Sequence, residues 1–398
     1  MNSTERVKAA LYFNRPDKVP IFNLVSGDVL PLPLTHSEKW RPGWNDGEEN
    51  LFPHIRGFYN WDRPDWAKKP EFEGNKWKSI PHEEIDEFGC IWNMQGNDTN
   101  MGHPGRAPLQ NWEDFEEYIS RYTPDPADKS RYKFALNLKK NSSPDQYRLI
   151  YPSYHGPSQM ASYLRGFNTY LIDHKKNPIK LKQLLEHIAE YHIHVLRNSI
   201  KIGLEPYGFY FDDDLGEQSR PFINPKMFES IYESSYKRIF DEAHDLGLEV
   251  HLHSCGKIDP LIPILIKWGL DAIELDSPRM SGYSDLAPYR GKIMFWACVN
   301  IQSIYPMGTP EEIEREVWHM VRNLGTINGG FGAYFYDTPR DINVPRKNIK
   351  AFQSGLKKYG DYSKIPGHWW DYPVTKEWDY TTVPELPPIE KPSVLRIN

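Results

Sequence analysis

The chain has 398 residues, of which 26% are charged, and a net charge of −6. That length holds one large domain or two ordinary ones, and the mildly acidic balance offers no basic surface for nucleic acid or an anionic membrane. Three cysteines, Cys90, Cys255 and Cys298, are too few and too odd a set for a disulfide framework, so a reducing, cytoplasmic setting is expected.

In chain order, residues 1–8 have no apolar stretch of the kind a secretory signal needs, and no run of about 18 apolar residues marks a membrane span. Residues 19–22 read as a first short strand. Residues 33–143 are rich in Trp, Pro and charge without a clear period, and are expected to form an irregular segment over one end of the fold. Residues 148–151 read as the next strand. Leu181, Leu184, Leu185, Ile188, Val195 and Ile200 recur at helical spacing up to Gly203, and residues 207–211 follow as a strand. Asn224 and Pro225 predict a helix start, with Phe228, Ile231, Tyr232, Ile239, Phe240 and Ala243 on its buried face and Gly247 at its end.

The segment 248–256 comes next. Read as a strand, its side chains alternate, so Val250 and Leu252 face one way and His251, His253 and Cys255 the other. An imidazole and a thiol two residues apart, where a strand runs into a Gly-bearing loop, suit a borderline-soft metal such as zinc. Two ligands alone do not make a site, and on spacing alone a buried strand end carrying a satisfied histidine and an inert thiol is the plainer reading. Beyond it, a short helix at 261–268 ends at Gly269, and residues 271–274 and 292–299 read as strands. Thr309-Pro310-Glu311-Glu312 is a capping box ahead of Ile313, Val317, Met320, Val321 and Leu324. Gly329-Gly330 then opens a last strand at 331–336. After Gly360 the chain turns to Pro and Trp, which predicts an extended tail over 361–398 lying on a surface.

Strands alternating with helices imply a parallel sheet with right-handed crossovers. Their number predicts an α/β fold of the (β/α)8 TIM barrel type over residues 1–360. No Gly-x-Gly-x-x-Gly follows a strand, which removes a common dinucleotide site. In such barrels chemistry collects at the C-terminal strand ends. Here those ends carry Tyr210 and Asp212–Asp214, His253 and Cys255, Glu274 and Asp276, Trp296 and Cys298, and Tyr336 and Asp337. Taken singly each has a plain structural reading: Asp213 or Asp214 as a cap, Glu274 paired with Arg279, Tyr336 packed. Their convergence on one rim predicts a site. Catalytic zinc needs a third protein ligand, and Cys298 and Asp337 are the candidates.

These residues also carry a resemblance. Glu5-Arg-Val-Lys-Ala-Ala-Leu11 with Arg15-Pro-Asp-Lys-Val-Pro20 resembles the start of the uroporphyrinogen decarboxylase superfamily. Asp86-Glu-Phe-Gly89, Asp213-Asp-Leu-Gly-Glu-Gln218, Asn224-Pro225, His253-Ser-Cys-Gly256 and Gly308-Thr-Pro-Glu-Glu312 resemble it in the same order. The resemblance implies the β/α barrel and one of two activities, tetrapyrrole decarboxylation or corrinoid-dependent methyl transfer at zinc. The decarboxylase branch carries an Arg-Gln-Ala-Gly-Arg stretch after the first strand, and residues 21–28 here have no basic cluster. His253 and Cys255 match the zinc pair of the methyltransferase branch, whose third ligand is a cysteine. That position falls near residues 336–338, where no cysteine stands.

The expected function is therefore zinc-dependent transfer of a methyl group from a small-molecule donor to the cobalt of a separate corrinoid protein. A homodimer is a candidate assembly. Asp213, Asp214 and Glu274 are expected to supply or hold a proton. Aromatic residues make up 14% of the chain, with 13 Trp and 24 Tyr. That excess predicts a flat, methoxylated aromatic donor (an O-demethylase reaction) held by Trp92, Tyr154, Tyr210, Trp296 and Tyr336. The alternatives are a tetrapyrrole decarboxylase and a non-catalytic relative that binds a small molecule.

Overall fold

The computed structural model describes residues 1–23, 27–37, 51–53, 82–94, 103–376 and 381–388. In chain order its strands are β1 (Ile21–Phe22), β2 (Val29–Pro33), β3 (Leu51–Pro53), β4 (His82–Ile85), β5 (Ile91–Met94) and β6 (His103–Pro104). They continue as β7 (Tyr147–Tyr151), β8 (Gly208–Asp212), β9 (Glu249–His253), β10 (Ala272–Leu275), β11 (Met294–Ala297) and β12 (Phe331–Tyr334). Eight of them form one parallel sheet in the order β1-β12-β11-β10-β9-β8-β7-β2. Its two end strands meet: the Asp28 N–H donates to the Ile21 carbonyl (2.7 Å), and Asp28 Oδ2 accepts from the Ile21 N–H (2.9 Å). That contact brings the sheet close to a full circle, as the alternating helix–strand pattern predicts.

The helices follow from their caps and stripes. Asn224 accepts from the Lys226 N–H (3.0 Å), and Pro225 opens the helix Pro225–Asp245. Thr309 and Glu312 form the predicted reciprocal box at the start of Pro310–Leu324. The periodicity around Leu181 belongs to a longer helix, Pro178–Lys201, preceded by Pro157–Arg165 and Phe167–Lys176. The stretch expected to be irregular contains the helices Phe115–Tyr122 and Lys133–Asn141 and a small sheet in the order β3-β4-β5-β6. Much of residues 38–102 lies outside the described residues.

The tail packs on its own barrel. Trp369 is buried, with its ring 5.7 Å from Trp318, and Arg322 Nε donates to its carbonyl. Thr375 and Pro384 hydrogen-bond to Asn323 and His319 of the same helix. Of the tail residues, 377–380 and 389–398 lie outside the described set.

Inside the barrel, Trp296 Nε1–H donates to His251 Nδ1 (3.1 Å), which leaves the proton of a neutral ring on Nε2, facing the Tyr147 hydroxyl (3.1 Å). Tyr147 in turn donates to Glu249 (2.8 Å). Burial pushes His251 down to about 4, and likewise the buried His192. Both rings are neutral when folded and would take protons sooner when unfolded. Their contribution is therefore complete above the ordinary histidine range near pH 6.5 and is lost as pH falls toward 4, by up to about 3 kcal/mol each. Urea midpoints of metal-free protein should drop across that window, and a flat profile would sink this reading.

Candidate metal site at the barrel mouth

At the C-terminal end of β8 three aspartates part company. Asp213 turns outward. It accepts from the backbone N–H groups of Ser158 (3.0 Å) and Gln159 (2.7 Å) and from the Tyr236 hydroxyl. It thereby caps the helix Pro157–Arg165, whose own N-cap, Gly156, has no side chain to do so. A Cβ at Gly156 would stand 2.4 Å from the Asp213 carboxylate, so glycine is required there. Burial lifts Asp213 to about 7 against those hydrogen bonds. Its geometry is that of a cap, one of the two readings open from sequence, and not that of a group facing the mouth.

Asp214 faces the other way. Its Oδ1 accepts from the Cys255 N–H (2.8 Å) and lies 3.5 Å from His253 Nε2. The loop after β9 reaches it because Gly256 has φ +89°, and a Cβ there would stand 2.2 Å from the Gly216 carbonyl oxygen. The glycines of Asp213-Asp-Leu-Gly and His-Ser-Cys-Gly thus let two loops touch. Leu215 N–H donates to Ser254 Oγ (3.0 Å) across the same contact.

Cys255 Sγ lies 3.5 Å from His253 Nε2 and 3.6 Å from Asp276 Oδ2. His253 Nδ1 is hydrogen-bonded to Glu274 Oε2. Two sets of donor atoms lie mutually within 4.8 Å, Asp214–His253–Cys255 and His253–Glu274–Asp276, with His253 in both. Neither set includes Cys298 or Asp337. Cys298 is fully buried, and that burial, with Asp276 nearby, raises its thiol pKa. Asp337 stands exposed at the rim, outside both donor sets.

The electrostatics are lopsided. Asp214 and Glu274 pair with the His253 imidazole and Asp276 lies close to it, while Asp212 faces His155 (3.9 Å), and none of these carboxylates has a lysine or arginine salt bridge among the described residues. Burial and then the Asp276 charge raise Glu274 to about 8, and burial raises Asp276. Asp214 is the exception: burial acts to raise it, but His253 and the Cys255 N–H hold it at about 2. Burial also drives the Cys255 thiol up to about 12. Glu274 Oε1 and Asp276 Oδ1 are buried with no hydrogen-bond partner among the described residues. Uncompensated buried carboxylates are costly, and a cation satisfies them.

Of the five aromatic candidates, four are built into the walls. Trp92 Nε1–H donates to Asp86 (3.0 Å) and the Tyr154 hydroxyl to Glu87 (2.8 Å). Tyr210 packs edge-on to Phe22, and Trp296 is fully buried beneath the mouth, over Gly332, where a Cβ would strike its ring. Tyr336 alone stays half-buried at the rim, its hydroxyl raised to about 12 by burial, with Asp276 and Cys255 adding to the shift. Sequence reasoning did not pick out Tyr163, Phe167 and Phe222, which line a second cavity beside Asp214. A larger cavity of about 580 Å³ lies at the opposite, N-terminal end of the barrel, against Arg15–Lys18 and the tail. It is remote from the His253–Cys255 cluster, and residues at that end of such barrels serve stability.

A parallel β/α barrel with thiol, imidazole and carboxylate at its C-terminal rim defines the class. The sequence profile of the family described as Uroporphyrinogen decarboxylase (URO-D) matches residues 108–351, and the chain belongs to that family. A methyltransferase from Methanosarcina mazei has a similar solved structure, with a TM-score of 0.57 and 16% identity over 90% of this chain and 99% of that one. At that identity the likeness establishes a shared fold. Comparison with curated proteins gives no match.

Proposed function

We propose that this protein is a zinc-dependent methyltransferase that moves a methyl group from a small donor, a methoxylated aromatic, to the cobalt of a separate corrinoid protein. The observation that carries the reading is the meeting of Asp214, His253 and Cys255 within a cluster of uncompensated carboxylates. One sulfur, one nitrogen and one oxygen donor suit zinc, and three protein ligands leave a position open for substrate. Bound zinc would act as a Lewis acid on the heteroatom that carries the methyl group.

The chain's own residues have separate tasks. Glu274 fixes the His253 ring through Nδ1 and so aims Nε2 at Cys255 and Asp214. Asp276 Oδ1 is free to hold a proton of the donor's leaving group. Asp214 takes the third-ligand place for which Cys298 and Asp337 were the expected candidates. Neither this cluster, among the described residues, nor residues 21–28 offers a lysine or arginine to pair the carboxylates of a porphyrinogen, which argues against the decarboxylase activity for this member of the family.

Elemental analysis of protein purified without a metal-affinity tag tests the reading, with about one zinc per chain expected. Asp214→Asn should weaken zinc binding by at least about tenfold, while Cys298→Ser and Asp337→Ala leave it unchanged. Zinc loss in either of the latter would reassign the third ligand.

A further inference from the structure

Two cavities flank the proposed metal ligands. One, of about 160 Å³, lies on the Cys255 and Asp276 side and has aliphatic and amide walls from Leu275, Met280 and Gln302. The other, of about 170 Å³, lies on the Asp214 side, and four of its lining residues are aromatic: Tyr163, Phe167, Tyr170 and Phe222. We infer that this second cavity holds the ring of an aromatic methyl donor, with Phe167 and Phe222 as the residues that select for it. The inference rests on the methyl-transfer reading for its reaction, but the binding it asserts stands on the cavity itself.

The walls are suited to a flat apolar group. Phe167 and Phe222 meet edge to face at 5.2 Å, yet they are 45% and 36% exposed, so each has ring surface still to cover. Tyr163 is braced from behind by Trp92, edge-on at 5.1 Å. The polar groups of the cavity are already engaged with one another. Gln159 Nε2 donates to the Tyr163 hydroxyl (2.6 Å) and its Oε1 accepts from the Asp214 N–H (3.2 Å), while Ser158 Oγ pairs with the Tyr170 hydroxyl (2.6 Å). A ligand rich in hydrogen-bonding groups would find few partners there. The volume is similar to the cavity of about 150 Å³ that takes up benzene in an engineered apolar core.

Asp214 joins this cavity to the metal ligands. Its Oδ2 lies 3.3 Å from Gln159 Nε2 at the cavity wall, and its Oδ1 lies 3.5 Å from His253 Nε2. A ring seated against Phe167 and Phe222 therefore has its inner edge one carboxylate away from the proposed zinc ligands. Asp214 is the residue that the cavity wall and the proposed ligand set share. Of the rings at the strand ends Tyr336 alone stays partly open at the rim, whereas this cavity's aromatic surface is built by the helices and loop after β7 and β8.

The test separates binding from chemistry. Guaiacol (2-methoxyphenol) is titrated into wild-type, Phe167→Ala and Phe222→Ala proteins, each as purified, with binding followed by saturation-transfer NMR and folding by circular dichroism. Wild type should bind, and each variant should bind about fivefold or more weakly with its melting curve unchanged. Because both side chains lie at the surface and outside the buried core, loss of fold is not expected. A milder Phe222→Leu, which keeps bulk but not the ring, should fall on the same side as Phe222→Ala. Equal binding by all proteins, or none by wild type, overturns the inference. Methyl transfer to reduced cobalamin is assayed separately with guaiacol and with methanol. Transfer from methanol without guaiacol binding would leave the enzyme reading intact and sink the cavity. Ring binding with no transfer from any donor would do the reverse.

Discussion

Protein carrying Cys255→Ala or His253→Ala should purify folded, with zinc falling from about one per chain to near none and methyl transfer at background. The two should differ in stability. Cys255 is half-buried at a loop, and its thiol lies near Asp276 Oδ2 at 3.6 Å, so removing it costs little beyond the metal. His253 is the hydrogen-bond partner of the fully buried Glu274. Its removal leaves a buried carboxyl with no partner, at a cost of about 1–3 kcal/mol. The proper reference is wild type stripped of metal by a chelator, since bound zinc stabilises the native state by mass action. Cys255→Ala should match that reference in urea denaturation and His253→Ala should fall below it. If either variant keeps full zinc, the ligands lie elsewhere on the rim.

The parts of this site legible in the sequence are those set by local periodicity. Period two along β9 places His251 and His253 on the inner face and carries the pattern to Cys255. Glu274, Trp296 and Gly332 continue the layer through the register Glu274↔His253, Glu274↔Trp296 and Trp296↔Gly332. The capping box at Thr309 and the Asn224-Pro225 start are equally local, and both helices begin where those signals put them. The count of helix–strand units led to the barrel because each unit must bury its apolar face against the next.

What local pattern does not carry is the direction a side chain takes once a strand has ended. Asp213 and Asp214 are neighbours of the same chemistry, yet one caps a helix and the other meets the proposed zinc ligands. The loop contact between Gly216 and Gly256 decides this, and it joins segments forty residues apart in the sequence. Aromatic content leaves ring direction open for a related reason. A ring at a strand end can face mouth or interior, and Trp296 faces interior because it shares the inward face that hydrogen-bonds to His251. Tyr163, Phe167 and Phe222 sit on helices and a loop, where no strand-end argument would find them.

The largest effect on stability is expected at Glu87 and Arg131, which tie the segment before β7 to the barrel. Arg131 has no exposed side-chain surface and meets both oxygens of Glu87, at 2.7 and 2.8 Å. Its Nε donates to the Asp125 carbonyl (2.6 Å), and Glu87 also accepts from the Tyr154 hydroxyl (2.8 Å) and the Ser37 N–H (3.2 Å). The pair therefore joins the turn between β4 and β5, the turn that precedes the helix Lys133–Asn141, and the loops after β2 and β7. Glu87→Ala should cost about 3–5 kcal/mol, because it strands a guanidinium in a buried site. Replacing both partners with methionine should recover most of that loss, since the penalty comes from the unpaired charge and not from the missing attraction. Urea denaturation followed by tryptophan fluorescence and by circular dichroism measures it. Coincident curves for Glu87→Ala, shifted together, would mean that this segment and the barrel unfold as one unit. An early fluorescence transition, with the circular dichroism curve unmoved, would instead make the segment an appendage that the barrel does not need.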